Sequence, residues 1–159
     1  MYLRQTDYFL PGGGGEALNV TRTYNSKNQT AGIFGRGWST AYDEYISVFN
    51  DRMLRLQLAD GKIAYFGRHS SVESSFAPLT VDFRATLSKS AATGEYTLIF
   101  KDGRVHQFNA AGRLTAMSDR SGNQTTLNYD AGNRLASITN PFNKTVSFDY
   151  SIPNETTLS

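Results

Sequence analysis

His69 and His106, with the one adjacent acidic pair Asp43-Glu44, are the side chains best suited to proton transfer in this 159-residue chain. General acid–base work needs both groups within reach of one bond, and neighbours in a strand point to opposite faces. Asp43 and Glu44 therefore do not act together without help from elsewhere. His106 alternates with Arg104 and Phe108, His69 stands in a Ser-rich stretch, and neither has the local spacing of a triad or a metal site. There are no cysteines, which excludes a thiol nucleophile, disulfides and zinc–thiolate centres together. The expectation is no catalytic residue, no metal, no cofactor and no enzyme.

Two glycine clusters raise the question of phosphate binding. Gly12 to Gly15 runs into Glu16-Ala17-Leu18-Asn19-Val20, a strand pattern without the Lys-Ser/Thr and helix start that a phosphate loop needs, so a flexible turn is expected. Gly32-Ile33-Phe34-Gly35-Arg36-Gly37-Trp38 has the order G-x-x-G-x-G, the reverse of the dinucleotide fingerprint, and a strand follows it. Its glycines fit a backbone folded tightly against a large ring. Arg22 falls on the apolar face of Leu18, Val20 and Tyr24, where a guanidinium needs a carboxylate or carbonyls, with Tyr24 expected to cover its plane. A register clamp is favoured over an anion or sugar contact. Trp38, Tyr42 and Tyr45 form the candidate sugar contact.

The elements that carry these residues are strands. Leu114 and Leu135, Met117 and Ile138, Leu127 and Phe148, and Tyr129 and Tyr150 are each 21 residues apart. A fixed period of this size marks a stacked repeat, in which one unit cannot bury its apolar face alone. Within each copy, alternating apolar and polar positions bounded by Gly and Asn clusters read as two half-buried strands. Asp60-Gly61 and Asp102-Gly103, 42 residues apart, read as two-residue hairpin turns, and Phe66 and Phe108 share the same offset. Trp38 to Phe49 reads as stranded, His69 to Pro78 as an irregular loop, and Val81, Phe83 and Leu87 as renewed alternation.

Ten Phe, nine Tyr and one Trp suit pleated surfaces, and the net charge of +2 is spread without a basic block. Neither nucleic acid nor an anionic membrane is implied. No apolar run reaches the roughly 18 residues of a membrane helix. Asn-x-Ser/Thr triplets begin at Asn19, Asn28, Asn123, Asn143 and Asn154, and matter only in a glycosylating host.

Arg22-Thr23-Tyr24-Asn25-Ser26, then Gly32-Ile33-Phe34-Gly35-Arg36-Gly37-Trp38-Ser39, then Asp60-Gly61 with Phe66, resembles the domain that opens the core of bacterial Rhs proteins. Asn128-Tyr129-Asp130-Ala131-Gly132-Asn133-Arg134-Leu135 and Phe148-Asp149-Tyr150 resemble the YD repeats that follow it. The second unit departs from the first, with Ser151 where the first has Asp130 and Asn143 where it has Gly122. The expected fold is all-β, an antiparallel hairpin meander forming a curved sheet at the start of a YD-repeat shell. Residues 1–88 would form the core-opening domain and 89–159 the repeat hairpins, cut short at the C-terminus.

The resemblance implies a hollow shell enclosing a C-terminal toxin, secreted by or displayed on a bacterium and delivered to competing cells. Its partners would be the rest of the shell, the toxin and components of a secretion system. Family members release the toxin by self-cleavage at aspartate-containing motifs near the end of the repeats. This chain has no Asp-Pro, so it is expected to be neither protease nor toxin. Exposed strand edges should favour self-association. The alternative is a cell-surface carbohydrate-binding module, with glycans as the partner.

Overall fold

The computed structural model describes residues 1–10, 18–26, 31–151 and 157–158. The Gly12–Gly15 turn and the Asn28 and Asn154 triplets lie outside the described residues. All regular structure among them is strand, and the protein is an all-β, antiparallel hairpin meander. Its contacts group it into two compact units, Met1–Asp43 with Ala59–Gly61 and Thr125–Ser159, and Glu44–Leu58 with Lys62–Gln124.

The first unit begins with β1 (Tyr2–Leu10) and β2 (Leu18–Asn25), followed by the short strands β3 (Ala31–Gly32), β4 (Gly35–Arg36) and β5 (Trp38–Thr40). β1, β2 and β5 form a sheet in that order, and β3 and β4 are a separate hairpin. Leu18 and Val20 are buried, as the alternation of β2 requires. The continuous strand expected from Trp38 to Phe49 is broken after Thr40. Asp43 Oδ2 accepts the Thr40 N–H at 2.7 Å and its hydroxyl at 2.9 Å, a local turn that competes with strand continuation.

The second unit is a meander of β6 (Tyr45–Asn50), β7 (Met53–Gln57), β8 (Ile63–Gly67), β9 (Ser75–Pro78), β10 (Ala85–Lys89), β11 (Tyr96–Phe100), β12 (Val105–Phe108) and β13 (Leu114–Ser118). One face carries the core, with Leu56, Phe66, Leu87, Leu98 and Leu114 fully buried. β9 lies inside the stretch expected to be irregular, because Phe76 supplies a buried anchor opposite Leu87. Conversely, residues 79–84 do not resume a strand: Val81 is 86% exposed, and Phe83 turns inward between the rings of Phe66 and Phe100.

The meander also closes on itself. The Ile46 N–H donates to the Gly112 carbonyl at 2.9 Å, and Tyr45 bridges Arg113, so the edge of β6 meets the loop between β12 and β13. Gly112 sits at φ 83°, and a methyl group there would run into the Ile46 carbonyl.

β14 (Gln124–Tyr129), β15 (Leu135–Thr139), β16 (Thr145–Asp149) and β17 (Thr157–Leu158) continue as antiparallel neighbours. The hairpin loops share one design. Phe100–Arg104, Asn109–Arg113, Asp119–Asn123, Asp130–Arg134 and Asn140–Lys144 are each joined by an N–H to carbonyl bond across three loop residues. The last loop residue, Gly103, Gly112, Gly122, Asn133 or Asn143, has positive φ. This is the type I turn with a left-handed bulge residue, so the Asp102-Gly103 loop has three residues rather than the expected two. Leu58–Lys62 closes over Gly61 in the same way.

The 21-residue period reaches further back than the two evident copies. Asp82 has φ 64°, midway in sequence between Gly61 and Gly103, and buried Leu87 stands midway between Phe66 and Phe108. The intervening copy is present; its sequence is disguised by an aspartate where its neighbours have glycine.

Candidate functional site

The N-terminal signature residues pack around Arg22. Its Nε lies 3.0 Å from Asp7 Oδ2, an ion pair whose N–H is not aligned as a hydrogen bond. Its guanidinium sits 4.6 Å from the Trp38 ring centre and 5.4 Å from that of Phe34. Tyr24, expected to cover the guanidinium, instead tilts against Trp38 at 5.3 Å, because Tyr24 and Trp38 are register partners across β2 and β5. The glycines explain the close fit: a Cβ on Gly37 (φ 83°) would lie 2.7 Å from the Tyr24 ring, and one on Gly32 2.5 Å from the Trp38 carbonyl oxygen. Gly32 and Gly35 are opposite each other in the β3–β4 hairpin, with Gly35 at φ 93°. Asn25 donates its N–H to the Gly37 carbonyl, and the Ser26 hydroxyl receives the N-terminal ammonium at 2.9 Å.

Of the candidate sugar contacts, Trp38 is half-buried with Arg22 on its ring. Tyr42 is half-buried and donates its hydroxyl to the Asn19 carbonyl at 3.0 Å. Tyr45 belongs to the second unit, where it pairs with Gln57 on β7.

The acid–base residues separate as expected for Asp43 and Glu44, although the two stand outside any strand. Asp43 also accepts the Ile33 N–H at 3.1 Å, holding the signature loop. Glu44 Oε2 lies 2.7 Å from His106 Nδ1, both side chains being buried. The Phe100 ring meets the imidazole edge-on at 4.8 Å. The dyad is shut off from solvent, and its position beside Tyr45 and Ile46 makes it part of the closure of the second unit. His69 is exposed, its backbone N–H donating to Glu73 Oε2 at 3.3 Å. Among the described residues no group of three or more His, Asp or Glu side chains could hold a metal ion.

Two of these pairings were not legible in sequence. His106 and Glu44 are 62 positions apart, and only the strand order brings them together. Asp7 carried a usable signal, as the one acid before the glycine run. It became informative only once residues 2–10 were known to be a strand beside β2.

The repeat motif forms a clasp. Asp130 Oδ1 accepts the Arg134 N–H at 2.8 Å and Oδ2 accepts from Arg134 Nε at 2.8 Å, closing the loop from both sides. Gly132 lies under this pair, where a Cβ would come 3.3 Å from Asp130 Oδ1. Arg134 then covers the Tyr150 ring at 4.5 Å, and Tyr150 donates its hydroxyl to the Leu135 carbonyl at 2.9 Å. The tyrosine closing one repeat thereby grips the arginine and backbone that opened it. The Arg134 backbone N–H, then its side chain, hold the Asp130 carboxyl below the usual aspartate range. Burial pushes the Tyr150 hydroxyl up. Tyr129 is the half-buried counterpart of Tyr150, and Asn109 stands 21 residues before Asp130, accepting the Arg113 N–H at 2.9 Å.

Hairpins in series at a 21-residue period, with the Asp130–Arg134–Tyr150 clasp joining one to the next, define a repeat protein. The comparisons agree with that class: residues 108–150 match the family described as RHS Repeat, and residues 1–66 match the domain of unknown function DUF6531. Together the two matches support an Rhs/YD-repeat protein. Among curated proteins, none matches it.

Proposed function

We propose that the chain is a wall segment of an Rhs shell, a non-catalytic stretch of β-sheet that helps to enclose a C-terminal toxin carried to competing bacteria. The observation that supports it most is the clasp from Asp130 through Arg134 to Tyr150. It spends the motif residues on joining one hairpin to the next and directs none of them at a ligand. Hairpins joined in this way lengthen a sheet by repetition, and each covers the edge of its neighbour. In this reading the partners are the remaining repeats, the enclosed toxin and the secretion machinery, and the protein acts outside the cytoplasm or at the cell surface. Protease protection tests it. In a protein carrying this segment and a tagged C-terminal domain, the tag should survive trypsin until denaturant opens the wall. Digestion of the tag at the rate of an exposed loop would refute enclosure.

The carbohydrate-binding reading rests on Trp38, Tyr42 and Tyr45. It requires saturable chemical-shift changes at the Trp38 indole on titration with glycans, and the Arg22 guanidinium already lies over that ring.

A further inference from the structure

β1 is an edge strand. Among the described residues it pairs with β2 alone, and Met1 to Thr6 is exposed on both faces. The direction of its backbone groups follows from two hydrogen bonds. Ser26 donates to the Met1 carbonyl, and Asn25 donates away from β1, to Gly37. In the register Tyr2↔Asn25, Leu3↔Tyr24, Arg4↔Thr23, the residues bonded to β2 are thus Met1, Leu3 and Gln5. Tyr2, Arg4 and Thr6 turn their N–H and C=O groups outward. Edges of this kind are normally blunted by lysine, proline or a bulge. The bulge here falls between Thr6 and Tyr8, which leaves Tyr2 to Thr6 open, with Tyr2 64% and Leu3 45% exposed.

We propose that this edge binds the same edge of a second copy of the chain, β1 against β1 antiparallel about a two-fold axis, with Leu3 facing Leu3 at the axis. A copy presents the identical unmet groups, so one contact satisfies both. The side chains select the register. With Leu3 at the axis, the Tyr2 N–H and C=O of one chain exchange hydrogen bonds with those of Arg4 in the other, twice over. Each Arg4 then lies beside a tyrosine ring, a favourable cation–π neighbour, and the two leucines cover one another. Moving the axis to Arg4 would set two like charges directly opposite, and moving it to Gln5 would put Leu3 against Asp7. The wall reading above plays no part in this argument, so either can fail without the other.

The chain has no cysteine of its own, which makes cross-linking a clean test. Facing residues in a non-hydrogen-bonded antiparallel pair have Cα atoms about 4.5 Å apart, within disulfide range. Leu3→Cys, Arg4→Cys and Gln5→Cys are each oxidised and run on non-reducing gels, beside light scattering of the unaltered chain. The expected result is a dimer in solution and a covalent dimer several-fold more abundant for Leu3→Cys than for the other two. Arg4→Pro removes an outward N–H that the β2 ladder does not use, and should give a folded monomer. A chain monomeric at high concentration, equal cross-linking at all three positions, or a maximum at residue 4 or 5 would overturn the proposal. The cysteine series decides the matter even if Arg4→Pro does not fold.

Discussion

His106 Nδ1 lies 2.7 Å from Glu44 Oε2, a buried contact between residues 62 positions apart that ties the start of the second unit to its seventh strand. Removing one member of a buried pair strands the other, at a cost of about 3 kcal/mol or more. Glu44→Ala should therefore lower stability by that amount in urea unfolding. Replacing both, as Glu44→Leu with His106→Phe, should recover most of it, since paired apolar replacements are often near neutral. A loss below about 1 kcal/mol for Glu44→Ala would show that the pair does not hold the unit closed.

Gly112 and Gly122 have nearly the same φ, 83° and 84°, but different surroundings. At Gly112 a Cβ would lie 2.9 Å from the Ile46 carbonyl carbon, whereas at Gly122 nothing stands within 4 Å. Gly122→Ala should cost only the left-handed backbone penalty, about 1–2 kcal/mol. Gly112→Ala adds overpacking against fixed backbone and should exceed about 3 kcal/mol in total. Equal losses for the two variants would show that the β6 edge does not close on this loop.

The sequence revealed what is local and periodic, and concealed what depends on closure. The alternation of Met53 to Leu58 and the 21-residue copies fixed strands that the structure contains almost residue for residue. β9 was concealed because Ser75–Pro78 offers one apolar anchor, Phe76, amid serines. Arg22 was readable as needing an acid. Its partner Asp7 was not, since residues 2–10 lack a clean alternation and β1 is a strand exposed on most of its length. The Glu44–His106 contact has no local signal at all.

Acid should weaken the fold through its turns. The carboxyls of Asp102, Asp119, Asp130 and Asp149 are all held below the ordinary value of 3.8: the first and third by the backbone N–H of Arg104 and Arg134, the second by the Asn123 side chain, the last by the Ser151 N–H. A folded-state value below the unfolded one means that the unfolded chain binds more protons. The stabilisation is present above about pH 4 and is lost as pH falls through the lowered values. The urea midpoint should stay level from neutral pH to about 5 and drop below 4, where carboxylates normally begin to protonate. Asp130→Asn should keep the loop, as Asn109 and Asn140 do at equivalent places, while reducing the acid-induced drop. An unchanged pH profile in this variant would contradict the assignment.

Tyr150→Phe removes the hydroxyl that reaches the Leu135 carbonyl while leaving a ring beneath Arg134. The expected loss is about 1 kcal/mol. Arg134→Ala forfeits the ring contact and the Asp130 pair, in both of which the arginine side chain is itself more than half exposed, and should also cost about 1 kcal/mol. The two effects should be less than additive in a double-mutant cycle, because both act on one clasp. Strict additivity would separate the tyrosine from the loop.

The most direct measurement of the wall reading is electron cryomicroscopy of a protein that carries this segment together with its further repeats and C-terminal domain. The account predicts residues 108–150 as consecutive hairpins in the wall of a closed cavity, with strands about 4.8 Å apart and separate density inside. An open or solid particle, or a C-terminal domain lying free outside the sheet, would contradict it.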